Sequence, residues 1–244
     1  MSELQHHINC KKGDVGRYVF LPGDPGRVPL ISSFFDEAEK VTQKREYLVH
    51  TGYVDGIKVS AVSTGIGGPS TAIAAEELAN IGADTVIRLG TAGQFQSYTG
   101  KGDLVIATAA IRHEGTSKHY FPVDYPAVAD FEVVNAMLKA ADRLPYTYHK
   151  GIVHSKDSFY GEVEPEKMPV ADDLKKRWEA WTEGNALASE MEAATLFVVA
   201  KYRKIRAGGI MNLLGDEEGM ENMIKLGIES VKELAKVDRR EDDE

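Results

Sequence analysis

Arg88 stands near the end of the apolar run Thr85-Val86-Ile87-Arg88-Leu89, directly before Gly90-Thr91-Ala92-Gly93. A five-residue apolar run bounded by turn residues reads as a buried parallel strand. An arginine at its end is expensive to bury unless it holds an anion. With Thr91 and the glycine amides beside it, Arg88 can form an oxyanion site; it can equally bridge carboxylates at a strand end. A second cationic turn is Pro22-Gly23-Asp24-Pro25-Gly26-Arg27. Two glycines and two prolines fix the backbone and admit a ligand closely, so Gly23 and Arg27 fit either an anion cradle at a helix start or an ordinary strand-to-helix turn. Ser189-Glu190-Met191-Glu192 opens an apolar stretch through Ala200 that reads as a helix. The helix dipole accounts for one of the two acids; the second needs a partner such as a ligand hydroxyl. The aromatic pair Phe159-Tyr160 follows a strand and suits either a flat wall for a planar ring or core packing.

The elements that must position these residues alternate between strand and helix. Tyr18-Val19-Phe20-Leu21 is a strand, and Arg27 through Phe34 a helix. Lys44 to Tyr53 and Gly56 to Ser63 form a hairpin turned at Asp55-Gly56. Ser63-Thr64-Gly65-Ile66-Gly67-Gly68-Pro69-Ser70 leads into an alanine-rich helix, Thr71 to Ile81. Its glycine spacing is not GxGxxG, and GxxxxGK is missing throughout, so neither a dinucleotide fold nor a Walker loop is indicated. Gly102 to Ala110 and Tyr148 to Val153 are further strands, and Asp130 N-caps a helix to Asp142. A charged amphipathic helix spans Val170 to Trp181, Ala207 to Leu214 is the last strand, and Gly219 to Val237 the closing helix. His113 and His119 lack helical ligand spacing and an obvious third partner, so they read as loop residues rather than a zinc site.

With 244 residues, 43% of them hydrophobic, the chain can bury one full α/β core. Residues 1–237 read as a single domain, and Asp238-Arg239-Arg240-Glu241-Asp242-Asp243-Glu244 as a charged tail. A net charge of -9 argues against nucleic acid as a partner. No apolar run is long enough for a membrane span, the start is not a signal peptide, and the single cysteine, Cys10, cannot form an internal disulfide. The expected location is the cytoplasm.

Several segments together resemble the nucleoside phosphorylase family, its uridine branch in particular. They are Pro22 to Arg27, Lys44-Arg45-Glu46-Tyr47, Ser63 to Leu78, Arg88 to Gly93, Tyr125-Pro126-Ala127-Val128-Ala129-Asp130-Phe131 and Glu190 to Leu196, in the family's order across nearly the whole chain. The resemblance implies a single domain whose mixed, twisted sheet forms a distorted barrel flanked by helices. It implies phosphorolysis of a nucleoside, uridine favoured, to free base and α-D-ribose 1-phosphate, with inorganic phosphate as co-substrate and no required cofactor. Gly23, Arg27, Arg88 and Thr91 would hold phosphate, joined by Arg45 of a neighbouring subunit in a hexamer built as a trimer of dimers. Met191 and Glu192 would hold ribose, with His7 of the neighbour near the sugar and His6 a competing choice. Phe159, Glu190 and Asn212 would line the base pocket. Glu46, Ile66 and Ser70 match the ligands of a monovalent cation such as K+ at the dimer interface.

One region departs from the pattern. Uridine phosphorylases read uracil through a glutamine and an arginine just after the aromatic motif, and a further arginine after the last strand. Here Phe159-Tyr160-Gly161-Glu162-Val163-Glu164 offers neither, and Leu213 follows Asn212. Purine phosphorylases carry an aspartate in this last region, and a loop shift would bring Asp216 there as an acid. The alternatives are therefore a purine phosphorylase acting on inosine or guanosine, a nucleosidase using water, and a non-catalytic nucleoside-binding relative.

Overall fold

Tyr18–Leu21 (β1) is buried along its whole length because strands flank it on both sides and helices cover its faces. In the computed structural model, which describes residues 4–242, β1 pairs in parallel with Ile57–Val62 (β4) and with Thr85–Gln94 (β5). The hairpin partner of β4 is Tyr47–Val54 (β3), turned at Asp55 and Gly56 with φ of 49° and 74°. Positive φ at both positions is the two-residue turn that suits the strand twist. The remaining strands are Asp36–Lys44 (β2), Leu104–His113 (β6), Ala127–Val128 (β7), Tyr148–Lys156 (β8), Ala188–Glu190 (β9) and Arg206–Leu213 (β10).

The described strands form one mixed sheet ordered β10-β6-β8-β9-β5-β1-β4-β3-β2, with β7 on β6. A further pairing of β10 with β5 closes β5, β9, β8, β6 and β10 into a barrel. Helices Gly68–Asn80 (α2) and Ala193–Arg203 (α6) pack together, as do Phe131–Ala141 (α3) and Glu217–Asp242 (α7). Arg27–Ser32 (α1), Phe159–Val163 (α4) and Ala171–Glu183 (α5) complete the helical set. Ala193 through Ala200 are all buried, so α6 is apolar on every side because it is covered on every side. Asp130 caps α3 by accepting the Glu132 amide at 3.1 Å. Among the described residues no helix is long and apolar enough to cross a membrane.

The structure differs from the sequence expectations in three places. β2 is a strand although Asp36-Glu37-Ala38-Glu39-Lys40-Val41-Thr42-Gln43-Lys44 has no apolar alternation; it is an exposed edge, where charge blunts further pairing. β5 does not stop at Leu89 but runs through Gly90-Thr91-Ala92-Gly93 to Gln94, because β9 and β10 continue to supply partners. Finally, the closing helix expected over Gly219 to Val237 runs as α7 through Asp242. Asp238 is buried, accepting from Tyr18 Oη at 2.5 Å and from Arg206 Nη1 and Nη2 at 2.8 and 2.6 Å.

Candidate active site

A cavity of about 850 Å³ opens where β1, β5, β9 and β10 hand over to their loops. Its lining falls into three groups. Gly23, Arg27, Arg88 and Thr91 are cationic or hydrogen-bonding, Met191 and Glu192 follow β9, and Phe159, Val163, Glu162 and Lys156 lie toward α4.

In the first group Arg27 Nη2 lies 3.3 Å from Thr91 Oγ1. Among the described residues no carboxylate reaches Arg27 within ion-pair distance. Burial pulls its pKa down; the Arg88 charge adds to that pull, while Asp24 and Glu192 oppose it. Arg27 is thus a half-buried cation without a neutralising partner, which is the electrostatic signature of an anion site.

Arg88 bridges two carboxylates, one of its two open readings, and also lines the cavity. Its Nε donates to Glu190 Oε2 at 2.8 Å, and its Nη2 pairs with Glu192 Oε2. Burial works against the charge, but Glu192 and Glu190 together outweigh it and raise the pKa. The guanidinium folds over its own strand two residues on. A β-carbon at Gly90 would stand 2.8 Å from Arg88 Nη2, so a side chain there would have to displace the guanidinium.

Glu192 sits at the N-terminal boundary of α6, with Oε1 accepting the Gly67 amide at 2.6 Å. Gly67 has φ of 93°, a backbone that aims this amide at Glu192 and favours glycine. Burial and the nearby Glu190 charge hold the Glu192 carboxyl above its ordinary pKa, against Arg88 and the Gly67 amide.

Three further assigned residues make bonds of their own within the chain. Glu190 belongs to β9, not to the helix, and its side chain is fully buried. It accepts the Glu192 amide at 2.8 Å, the Ala193 amide at 2.9 Å, Ser155 Oγ and Arg88 Nε, so its oxygens are committed to capping α6 and orienting Arg88 rather than to a base. Asn212 is fully buried behind the cavity wall, donating to the Asp216 carbonyl at 3.0 Å. Asp216 precedes α7, and its Oδ1 accepts the Gly219 amide at 2.7 Å, a helix cap outside this cavity's lining.

The residues expected from a neighbour lie outside this chain's own cavity. His7 Nδ1 is 2.6 Å from Glu77 Oε1 on α2. Arg45 is exposed at the β2–β3 turn with φ of 54°. Glu46, Ile66 and Ser70 cluster nearby: Ser70 Oγ donates to the Ile66 carbonyl at 3.2 Å, and a β-carbon at Gly65 would meet Glu46 Cγ at 2.9 Å. Among the described residues no group of three or more His, Cys, Asp or Glu side chains is arranged to hold a metal ion. His113 Nδ1 instead lies 3.1 Å from His154 Nε2.

Sequence reasoning overlooked a buried cluster beside Phe159. Lys156 Nζ donates to Glu162 Oε2 and to Ser189 Oγ, each at 2.9 Å, and Ser189 Oγ donates to Glu162 Oε2 as well. Burial first, then His113 and Lys156, push the His154 pKa down to about 3, so that ring is neutral. A lysine closing the buried half of β8 was the available signal, of the same kind as Arg88 at β5.

Residues 17–238 match the sequence model described as the Phosphorylase superfamily. Uridine phosphorylase of Treponema pallidum (strain Nichols) is 45% identical over 96% of this chain and 95% of its own length. Guanosine phosphorylase of Halorubrum lacusprofundi is 42% identical over 87% of this chain and 83% of its own length. The crystal structure of uridine phosphorylase from Vibrio fischeri ES114 superposes with a TM-score of 0.86 at 33% identity, covering 97% of this chain and 98% of that one.

Proposed function

The chain belongs to the phosphorylase superfamily, and from that premise we propose that it cleaves nucleosides with inorganic phosphate, uridine in preference, yielding the free base and α-D-ribose 1-phosphate. The observation that carries this reading is the convergence of Arg27, unneutralised, with Arg88 and Thr91 on the lining of a cavity that also holds the buried carboxylate Glu192. Hydrolysis by water needs no cationic cradle.

Phosphate held by Arg27, Arg88, Thr91 and the Gly23 backbone needs no base to become a nucleophile; it needs position and desolvation. The C1′–N bond lengthens as the sugar becomes oxocarbenium-like, its electron pair leaving with the base while phosphate closes on the opposite face. Glu192 supports that charge and orients the sugar hydroxyls. Because Arg88 touches Glu192 and lines the phosphate end, one rigid guanidinium sets nucleophile and sugar in mutual register. A purine reading has less support, since Asp216 is committed to capping α7.

Base release from uridine and from inosine, each with and without phosphate, tests the proposal. Phosphate-dependent release from uridine is the expected result. Release that ignores phosphate would make the protein a hydrolase and sink the cradle argument. Glu192→Gln should cost ribosides about tenfold more in kcat/KM than 2′-deoxyribosides, the scale of one charged hydrogen bond. Equal losses on both would remove Glu192 from the ribose site.

The same proposal includes a hexamer in which Arg45 and His7 of a neighbouring subunit complete the site. The exposed position of Arg45 supports it, and a monomeric mass in solution would end it. Glu46, the Ile66 carbonyl and Ser70 Oγ supply one carboxylate and two neutral oxygens, half of a hard-cation shell that a two-fold axis would double. Such a site suits K+ structurally and gives no chemistry to the reaction. A melting temperature indifferent to replacing K+ by tetramethylammonium would count against it.

A further inference from the structure

We propose that Lys156 and Glu162 together read the base, selecting rings that present an N–H beside a carbonyl. This rests on the nucleoside reading above and names the substrate class the cavity accepts: uracil-like and 6-oxopurine bases, against cytosine and adenine. Phe159 and Glu162 are three residues apart on α4 and so share a face, and both line the cavity. Phe159 is 53% exposed and offers its ring to the cavity as a stacking wall. A planar base against that ring turns its edge to the residues beside it, which are Glu162 and Lys156.

The valences of the pair define what it can bind. Glu162 Oε2 is occupied, accepting from Ser189 Oγ and from Lys156 Nζ at 2.9 Å. Oε1 accepts no hydrogen bond from the described residues and lies 3.3 Å from where a β-carbon on Gly93 would stand, on the cavity wall. Lys156 Nζ has three hydrogens and uses two, on Glu162 and Ser189. The pair therefore presents one anionic acceptor next to one cationic donor. Uracil matches it with N3–H and an adjacent carbonyl, and hypoxanthine with N1–H and O6. With the sugar anchored so that the ring nitrogen faces Glu162 and the exocyclic group faces Lys156, cytosine and adenine present the reverse order, a bare nitrogen to the carboxylate and an amino group to the ammonium, and in that pose leave both charges without partners. His154, neutral and hydrogen-bonded to Ser189 and His113, does not compete for the carboxylate. Because only one carboxylate oxygen is free, guanine's 2-amino group gains nothing here.

Both side chains are nearly buried, Lys156 at 8% and Glu162 at 10% side-chain exposure, on the partition between this cavity and a hollow of about 410 Å³ lined by Trp178 and Trp181. A buried ion pair adds little stability over apolar side chains of the same volume. A structural partition would not need charge; recognition of a polar edge does.

The test is calorimetric binding of uridine and cytidine to the full-length protein without phosphate. It compares wild type with the double variant Lys156→Met, Glu162→Leu, which leaves no orphaned charge. Wild type should bind uridine at least about tenfold more tightly than cytidine, and the double variant should bring the ratio to within about twofold of unity. A ratio that survives the double substitution, or is absent in wild type, overturns the proposal. Should that variant not fold, Glu162→Gln decides instead, because its amide can donate to cytosine N3; the ratio should fall at least about fivefold, and an unchanged ratio overturns the proposal. A purely structural pair would weaken both nucleosides alike. Discrimination in binding without phosphate-dependent base release would leave this proposal standing and remove the phosphorolysis reading.

Discussion

Replacing Arg88 by alanine is expected to lower kcat/KM for phosphate-dependent base release by about three orders of magnitude. The guanidinium joins three tasks: it lines the cavity with Arg27 and Thr91, grips Glu192 and is itself aimed by Glu190. Removal also leaves Glu192 buried without its cation, which costs about 3 to 5 kcal/mol of stability. The sign of the pH dependence follows from the carboxyl already lying above its ordinary value, through burial and Glu190. Such a group is protonated more readily folded than unfolded, so folding is favoured below its unfolded pKa and that advantage fades as pH rises through the folded value. Without Arg88 the effect grows. The gap in melting temperature between variant and wild type should therefore narrow toward acid pH. Arg88→Lys keeps a charge but cannot address two carboxylates and an anion in one plane, and should still lose at least about tenfold. Near-normal phosphorolysis by the alanine variant would remove Arg88 from the mechanism.

Much of this arrangement was legible before any coordinates, for reasons that differ by element. β1 and the β3–β4 hairpin have dense local signals: a four-residue apolar run, and Asp-Gly between two strands. Asp130 as a helix cap is likewise a matter of a few adjacent residues. Arg88 stood out because a charge within an apolar strand demands a partner. Glu190 was harder. It is two residues from Glu192 and of the same type, yet one carboxylate caps α6 while the other takes the Gly67 amide, and only the β9-to-α6 turn separates those roles. Lys156 and Glu162 are six residues apart with a strand end and a helical turn between them, so their contact is tertiary and leaves no periodicity. β2 is set by its partner rather than by its own side chains. The Lys156–Glu162 pair was therefore the least readable part of the cavity, because its groups are brought together by the fold.

Asp238→Ala should destabilise the protein by about 3 kcal/mol, the lower end for breaking a buried ion pair. Its carboxylate, on the C-terminal part of α7, is buried and takes two bonds from Arg206 and one from Tyr18, with Arg17 Nη2 at 3.3 Å. Asp84 and Glu132 keep part of the cationic charge neutralised when it is removed, which limits the loss. Burial alone would raise the Asp238 pKa; Arg206, the Tyr18 hydroxyl and Arg17 outweigh it and hold the carboxyl below its ordinary value. A depressed folded pKa contributes stability above the unfolded value that is lost as pH falls through the folded one. Wild type should thus lose stability on acidification below about pH 4, and Asp238→Asn should lack that component. Truncation after Val237 removes the same carboxylate and should lower the melting temperature at neutral pH to a similar degree. The charges that make residues 238–244 resemble a loose tail conceal one position in helical register with Val231, Leu234 and Ala235, all buried. A truncated protein that melts like wild type would show that β1 and β10 hold together without this clasp.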